Sequence, residues 1–137
     1  MRAVLDPTVI ISATLSPGGS TGRLFQYWLD GAYDLVVSPP LLDELERALG
    51  YSKLRDRVPT NEAKDLLELL SRAGLATDDP QSPPDIQSPD PDDDHLIALA
   101  SIARAALVTG DKELLGLSGR IPVYSPAEFV VLIEASN

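Results

Sequence analysis

Four acidic positions of this sequence stand where strands end or helices begin. Asp6 and Asp111 each follow a short apolar run that is typical of a buried strand, and Glu44 and the run of aspartates at 92–94 each lie near the start of a helical pattern. In an α/β fold, strand ends and helix starts meet at one edge of the sheet. Carboxylates gathered there would repel one another unless a cation held them. The pattern therefore predicts a divalent-metal site.

The chemistry that suits such a site is hydrolysis of a phosphodiester. Mg²⁺ and Mn²⁺ favour carboxylate oxygens and keep several waters. Three or four acids can hold one or two such ions, which turn water into a nucleophile and stabilise the attacking and leaving oxygens. No protein nucleophile is then needed, which fits a chain with no cysteine, one histidine and no obvious Ser-His-Asp arrangement.

Spacing separates the candidate ligands from their acidic neighbours. Glu44 borders the apolar face of its helical segment, whereas Glu46 points elsewhere. Within 92–94, we favour Asp93, because the alanines five and seven residues later allow close helix packing, and we keep Asp92 as an additional or alternative ligand. Each acid also has a simpler explanation, as an exposed residue, a turn residue or a complement to a helix dipole.

Three polar neighbours could assist the acids. His95 could contact the metal ligands without binding the metal itself, or it could be exposed beside the carboxylates. Thr8 and Thr109 flank the two strand-end aspartates. Each could bond the second carboxylate oxygen or a metal-bound water, and each could equally satisfy the local backbone.

The elements that must position these residues alternate between strand and helix. Strands are predicted at residues 2–5, 33–37, 106–109 and 121–124, and helices at 21–29, 39–49, 60–73, 92–104, 112–117 and 126–134. This alternation predicts one α/β domain over residues 1–137, with a mainly parallel central sheet and helices on both faces. The last strand should lie at an edge of the sheet because it contains Pro122.

Topology places three of the acids together. Asp6 and Asp111 should lie at the carboxyl edge of the sheet, and Glu44 should face the same edge. The aspartates at 92–94 begin the helix that precedes the third strand, and we expect that end at the opposite edge unless the proline-rich loop predicted at 78–91 brings it round.

Bulk composition narrows the class of protein. With 137 residues and 44% hydrophobic content, the chain can bury a core. It lacks cysteine, a membrane-length apolar run and the long apolar stretch of a signal peptide, so we expect a cytoplasmic protein with no membrane association. The net charge of −10 counts against broad electrostatic binding of nucleic acid. The cluster of Lys53, Arg55 and Arg57 could nevertheless touch phosphates, or it could be a solvated loop.

The four acidic stretches resemble the PIN-domain family, in particular the bacterial PIN toxins of toxin–antitoxin pairs. The opening residues 2–13 around Asp6 look like the first motif of that family, and residues 35–45, 90–100 and 107–111 look like the second, third and fourth. Four motifs in order, covering nearly the whole chain, make the resemblance specific.

The resemblance implies a fold, an activity and partners. The fold would be a three-layer α/β/α sandwich, and the activity would be an RNA hydrolase dependent on Mg²⁺ or Mn²⁺. It also implies a homodimer and inhibition by a cognate antitoxin. Carried over residue by residue, the catalytic, metal-binding acids would be Asp6, Glu44, Asp93 and Asp111, with Asp92 as a further metal ligand.

One departure from the family pattern leaves alternatives open. The usual Asp-Thr-Asn is Asp6-Pro7-Thr8 here, which removes one backbone donor and one amide side chain. A non-catalytic PIN-like binding protein with a degraded site is therefore the main alternative. A phosphatase of the haloacid-dehalogenase type also begins with a strand-end Asp, but that family needs a second Asp where this chain has Thr8.

Overall fold

A computed structural model describes residues 1–77 and 94–136 of the chain. In this part of the chain the strands are β1 (Arg2–Leu5), β2 (Asp34–Val37), β3 (Leu75–Ala76), β4 (Ala106–Val108) and β5 (Val123–Tyr124). The helices are α1 (Pro7–Leu15), α2 (Ser20–Leu29), α3 (Pro39–Leu49), α4 (Ser52–Arg55), α5 (Thr60–Ala73), α6 (Asp94–Ala103), α7 (Lys112–Leu115) and α8 (Pro126–Ser136). None of the described helices is long and apolar enough to cross a membrane.

The five strands form one sheet in the order β3-β2-β1-β4-β5, and every pairing is parallel. Successive strand residues point to opposite faces of a sheet. Ala3, Val4 and Leu5 of β1 are nevertheless all 0–1% exposed, so both faces of the sheet are covered. The three-layer α/β/α fold is thereby confirmed, and β5 lies at an edge as predicted.

Local capping explains several of the helix boundaries. The hydroxyl of Ser38 accepts a hydrogen bond from the backbone N–H of Leu41, and the first position of α3 is a proline, which has no N–H to satisfy. At α8, Ser125 and Glu128 bond each other's backbone N–H groups at 2.9 and 3.2 Å. This is the capping box expected from the sequence.

Aromatic residues fill the core on the side of α8. Tyr33 meets Phe129 edge-to-face with ring centroids 5.4 Å apart, and its hydroxyl donates to the carbonyl of Leu24 at 2.8 Å. Burial raises the pKa of Tyr33, because the charged phenolate would lose its hydration there. Tyr33 therefore stays a neutral hydrogen-bond donor at physiological pH.

The direction of α6 corrects one expectation. Arg2, at the amino end of β1, donates to the carbonyl of Ala103 at 3.1 Å, so α6 ends at the amino edge of the sheet. At its other end, His95 contacts Glu44 on α3. The prediction that this helix begins at the opposite edge from Glu44 is wrong, because a helix that leads into a parallel strand runs antiparallel to it and starts at the carboxyl edge.

Candidate active site

Asp6 connects β1 to α1 and is held by hydrogen bonds of both its backbone and its side chain. Its backbone N–H donates to the carbonyl of Val108 on β4 at 2.9 Å, which ties the residue to the neighbouring strand. Its Oδ1 atom accepts from the backbone N–H of Thr8 at 3.1 Å, so the carboxylate caps α1. The residue is only 8% exposed. Burial and these bonds fix the carboxylate at the carboxyl edge of the sheet.

Pro7 is compatible with this placement of Asp6. It occupies the first position of α1, where a backbone N–H would have no partner within the helix and where the fixed φ of proline suits the helix. Thr8 is exposed and meets Asp6 through its backbone N–H. The departure from Asp-Thr-Asn therefore leaves the first candidate ligand in position.

Thr109 links Asp6 to Asp111. Its hydroxyl donates to Oδ2 of Asp6 at 2.8 Å and accepts from the backbone N–H of Asp111 at 3.0 Å. Thr109 is completely buried. Of the alternatives that the sequence left open for Thr109, the structure shows both together: it bonds the second carboxylate oxygen and satisfies the local backbone.

Asp111 is the cap of the short helix α7. Its Oδ1 atom accepts from the backbone N–H of Glu113 at 2.8 Å, and the residue is half-buried. The two strand-end aspartates are thus connected through one threonine, at the ends of the adjacent strands β1 and β4. This confirms the sequence expectation that they meet at one edge.

Glu44 faces His95 across the same edge. The Nε2 atom of His95 lies 2.9 Å from Oε2 of Glu44. This short contact lacks the alignment of a hydrogen bond, and Oε2 is buried without a hydrogen-bond partner among the described residues. The side chains of Glu44 and His95 are 41% and 31% exposed, so both are partly open to solvent although Oε2 itself is buried. A buried carboxylate oxygen without an aligned donor is suited to a cation.

The structure assembles part of the acidic set predicted from the sequence. Thr109 links the carboxylate of Asp6 to the backbone N–H of Asp111, and Glu44 meets His95. Asp92 and Asp93 lie outside the described residues. Within residues 1–77 and 94–136, no three acidic or histidine side chains stand close enough together to hold a metal ion. The carboxylates of Asp6, Glu44 and Asp111 are donors of the type that Mg²⁺ and Mn²⁺ favour.

A groove beside Glu44 was not anticipated. It encloses about 560 Å³, and the residues that line it are Pro40, Glu44, Arg47, Ala48, Tyr51 and His95. We call it the Glu44 groove. The spacing of Glu44 and Arg47, three residues apart, predicts only that these two side chains are neighbours on one face of α3. Tyr51 lies beyond the end of that helix, so the sequence gives no signal for it.

Comparison with known proteins gives a family and a fold. The family model described as "PIN domain" matches residues 2–113, which is more than half of the chain. The curated protein MJ1680 of Methanocaldococcus jannaschii, described as uncharacterized, is 27% identical, and the match covers 98% of this chain and 92% of that protein.

A solved structure matches most of the fold. It is a chain in the crystal structure of VapBC2 from Rickettsia felis bound to a DNA fragment from their promoter. The TM-score is 0.59, with 16% sequence identity, over 91% of this chain and 98% of that chain. At this identity the likeness shows a common fold.

Proposed function

The chain belongs to the PIN-domain family, and on that premise we propose that it is a metal-dependent ribonuclease that hydrolyses phosphodiester bonds of RNA. Members of this family are generally nucleases. The observation that supports the proposal is the hydrogen-bonded link from the carboxylate of Asp6 through Thr109 to the backbone N–H of Asp111. The two acids follow adjacent parallel strands, and ligands of such sheets bind at that edge.

In the proposed site, Asp6, Glu44 and Asp111 are ligands for Mg²⁺ or Mn²⁺. The sequence adds Asp93, with Asp92 as a further ligand. When bound, such an ion would supply a water activated for attack and would offset charge on the phosphate oxygens. The chain itself supplies the orientation. The hydroxyl of Thr109 fixes Oδ2 of Asp6, and the backbone N–H of Thr8 at the start of α1 fixes Oδ1.

We further propose that this ribonuclease is the toxin of a toxin–antitoxin pair. The support is the fold shared with a chain of the VapBC2 complex, together with the family resemblance of the four acidic motifs. A cognate antitoxin protein would then bind the folded chain and suppress its activity. Homodimerisation and a cytoplasmic location belong to the same proposal.

Cleavage of RNA by the purified protein tests the activity. We expect cleavage with Mn²⁺ or Mg²⁺, and we expect EDTA to abolish it. The variants Asp6→Asn and Glu44→Gln should each lower cleavage by roughly 100-fold or more, because a lost ligand weakens binding of an ion that supplies several kcal/mol of transition-state stabilisation. Glu46→Gln is the matched control, because Glu46 is an exposed acid on the same helix, α3.

The outcomes separate the proposal from its alternative. Cleavage that survives both EDTA and Asp6→Asn would come from a contaminant or from another mechanism, and it would overturn the proposal. A folded protein that binds Mn²⁺ but cuts no RNA under any condition would indicate instead the non-catalytic PIN-like binding protein.

A further inference from the structure

The Glu44 groove contains an aromatic side chain and a cation beside a candidate metal ligand. Tyr51 is 66% exposed, the highest value among the large hydrophobic residues that the structure describes as exposed. Arg47 lines the same groove and is also exposed. Arg47 forms no ion pair within residues 1–77 and 94–136. Aromatic rings and cations in one groove are the combination with which proteins hold single-stranded nucleic acid.

The charge of this region differs from that of the chain as a whole. The net charge of the protein is −10, yet residues 47–57 contain Arg47, Lys53, Arg55 and Arg57 against one acid, Asp56. Within residues 1–77 and 94–136, none of these four cations forms an ion pair. They remain available to a polyanion, and their charge runs along the chain from the groove into α4.

Residues 47–57, which we call the basic segment, directly follow the part of α3 that carries Glu44. Arg47 lies one helical turn beyond Glu44 on α3, and Tyr51 is the residue that caps α4. An RNA single strand with one phosphodiester at Glu44 would therefore continue past Arg47 toward Tyr51. Acidic peptides would find the same cations, but a flat exposed ring next to them favours a ligand with both bases and phosphates.

We propose that the Glu44 groove binds the single-stranded RNA substrate next to the bond that is cut, with a base stacked on Tyr51 and a phosphate held by Arg47. The class of ligand rests on the proposed ribonuclease function. Tyr51 and Arg47 are then substrate-binding residues that position the strand, and the acids of the site remain responsible for the chemistry.

The test measures RNA binding apart from cleavage. A fluorescein-labelled single-stranded oligouridylate is titrated with protein in EDTA, and the affinity is read by fluorescence anisotropy. We expect Tyr51→Ala to weaken binding about 10-fold or more, since stacking on one aromatic ring has roughly that effect, and we expect Tyr51→Phe to bind within about 2-fold of the wild type. Arg47→Gln should weaken binding and lower the slope of log affinity against log salt by about 0.7, the value for one phosphate contact on a single strand.

The control has the same change of charge at a distant site. Arg23 is an exposed arginine on α2 that pairs with Glu134 at 2.8 Å, so Arg23→Gln removes one positive charge away from the groove. It should bind RNA like the wild type. In cleavage assays with Mn²⁺, Tyr51→Ala should raise KM and leave kcat within about 3-fold.

Two results would overturn the inference, and one would overturn only the proposed function. Unchanged RNA affinity in Tyr51→Ala and Arg47→Gln, in a protein that does cut RNA, would refute it and leave the proposed function standing. Binding that depends on Tyr51 in a protein that never cuts RNA would refute the proposed function and keep the groove as an RNA site. If the variants lose affinity for an oligoglutamate peptide but keep affinity for the oligouridylate, the groove is a protein-docking site and the inference is wrong.

Discussion

The hydroxyl of Thr109 donates a 2.8 Å hydrogen bond to Oδ2 of Asp6, although 103 residues separate the two in the sequence. The parallel pairing of Leu5 with Val108 brings them together, because each residue directly follows one member of that pair. The position of the buried carboxylate therefore depends on the register of two strands and on one hydroxyl group.

Replacing Thr109 by valine tests this dependence. Valine keeps the shape of the side chain but leaves Oδ2 of Asp6 and the N–H of Asp111 without their shared partner. We expect a loss of about 1–3 kcal/mol in the free energy of unfolding, measured by urea denaturation. Thr109→Ser keeps the hydroxyl and should lose less than Thr109→Val. Equal stability of the two variants would show that the hydroxyl contributes nothing.

Metal binding should stabilise the folded protein. An ion that binds only the native state raises its melting temperature, so we expect a rise with millimolar Mn²⁺. Asp6→Asn should abolish most of that rise. It should also lower metal-free stability by about 1–3 kcal/mol, because the single amide oxygen can still cap α1 but the Nδ2 group cannot accept the bond from Thr109. Differential scanning fluorimetry with Mn²⁺ and with EDTA measures both quantities. An equal metal-dependent rise in Asp6→Asn would exclude Asp6 as a ligand.

Arg104 has an unfavourable backbone conformation directly after α6. Its φ is +53°, a region in which glycine is favoured, and the N–H of Ala105 bonds back to the carbonyl of Ala100 in the manner of a helix C-cap. Arg104→Gly should therefore raise the free energy of unfolding by up to about 1 kcal/mol. Arg104→Ala is the control, since it removes the side chain but keeps the strain. Stabilisation by alanine as large as that by glycine would contradict this explanation.

The capping box of α8 should make stability depend on pH. Hydrogen bonds from the backbone and side chain of Ser125 lower the pKa of Glu128. A carboxyl group whose pKa is lower in the folded state contributes stability above its unfolded pKa of about 4.3 and loses it as the pH falls through the folded value. The stability advantage of the wild type over Glu128→Gln should therefore be constant near pH 7 and shrink below about pH 4.3. Urea midpoints between neutral and acidic pH measure this, and an advantage that grows in acid would contradict it.

Gly22 lies where α2 approaches the preceding loop. A Cβ atom at this position would stand 2.1 Å from the backbone carbonyl oxygen of Pro17, and backbone cannot yield as a flexible side chain does. We expect Gly22→Ala to destabilise the protein by about 1–3 kcal/mol, the usual effect of overpacking. A Cβ atom added at Gly18 would have nothing within 4 Å, so Gly18→Ala should be nearly neutral. Thermal unfolding of both variants and the wild type measures the difference.

Much of the fold follows from sequence patterns that have local causes. The bounds of α3 can be predicted because Ser38 and Pro39 mark its start and leucines recur at helical spacing. The sequence does not predict α1, since Val9, Ile10 and Ile11 have no helical periodicity and are buried together. The cap from Asp6 and the burial of the whole segment override the weak helix propensity of β-branched residues.

Some features of the candidate site can likewise be predicted from the sequence, and others cannot. Asp6 and Asp111 are predictable as neighbours because both end strands of a parallel sheet. The two hydrogen bonds of Thr109, to Asp6 and to Asp111, cannot be predicted in this way. They depend on the register of β1 against β4, which no local pattern specifies. Likewise, the contact between Glu44 and His95 requires the direction of α6 relative to the sheet. Arg47 and Tyr51 look like ordinary surface residues until the groove around them is known.

The central place of β1 in the sheet also determines when the site can form during synthesis. β1 can pair with β2 early in synthesis, but its other neighbour, β4, is made only after β2, β3 and the helices between them. A nascent chain that has not yet reached Thr109 has an Asp6 carboxylate with one of its two oxygens unbonded and no Asp111 beside it. Whatever chemistry this edge of the sheet performs, the protein acquires it only after β4 and Asp111 have been synthesised.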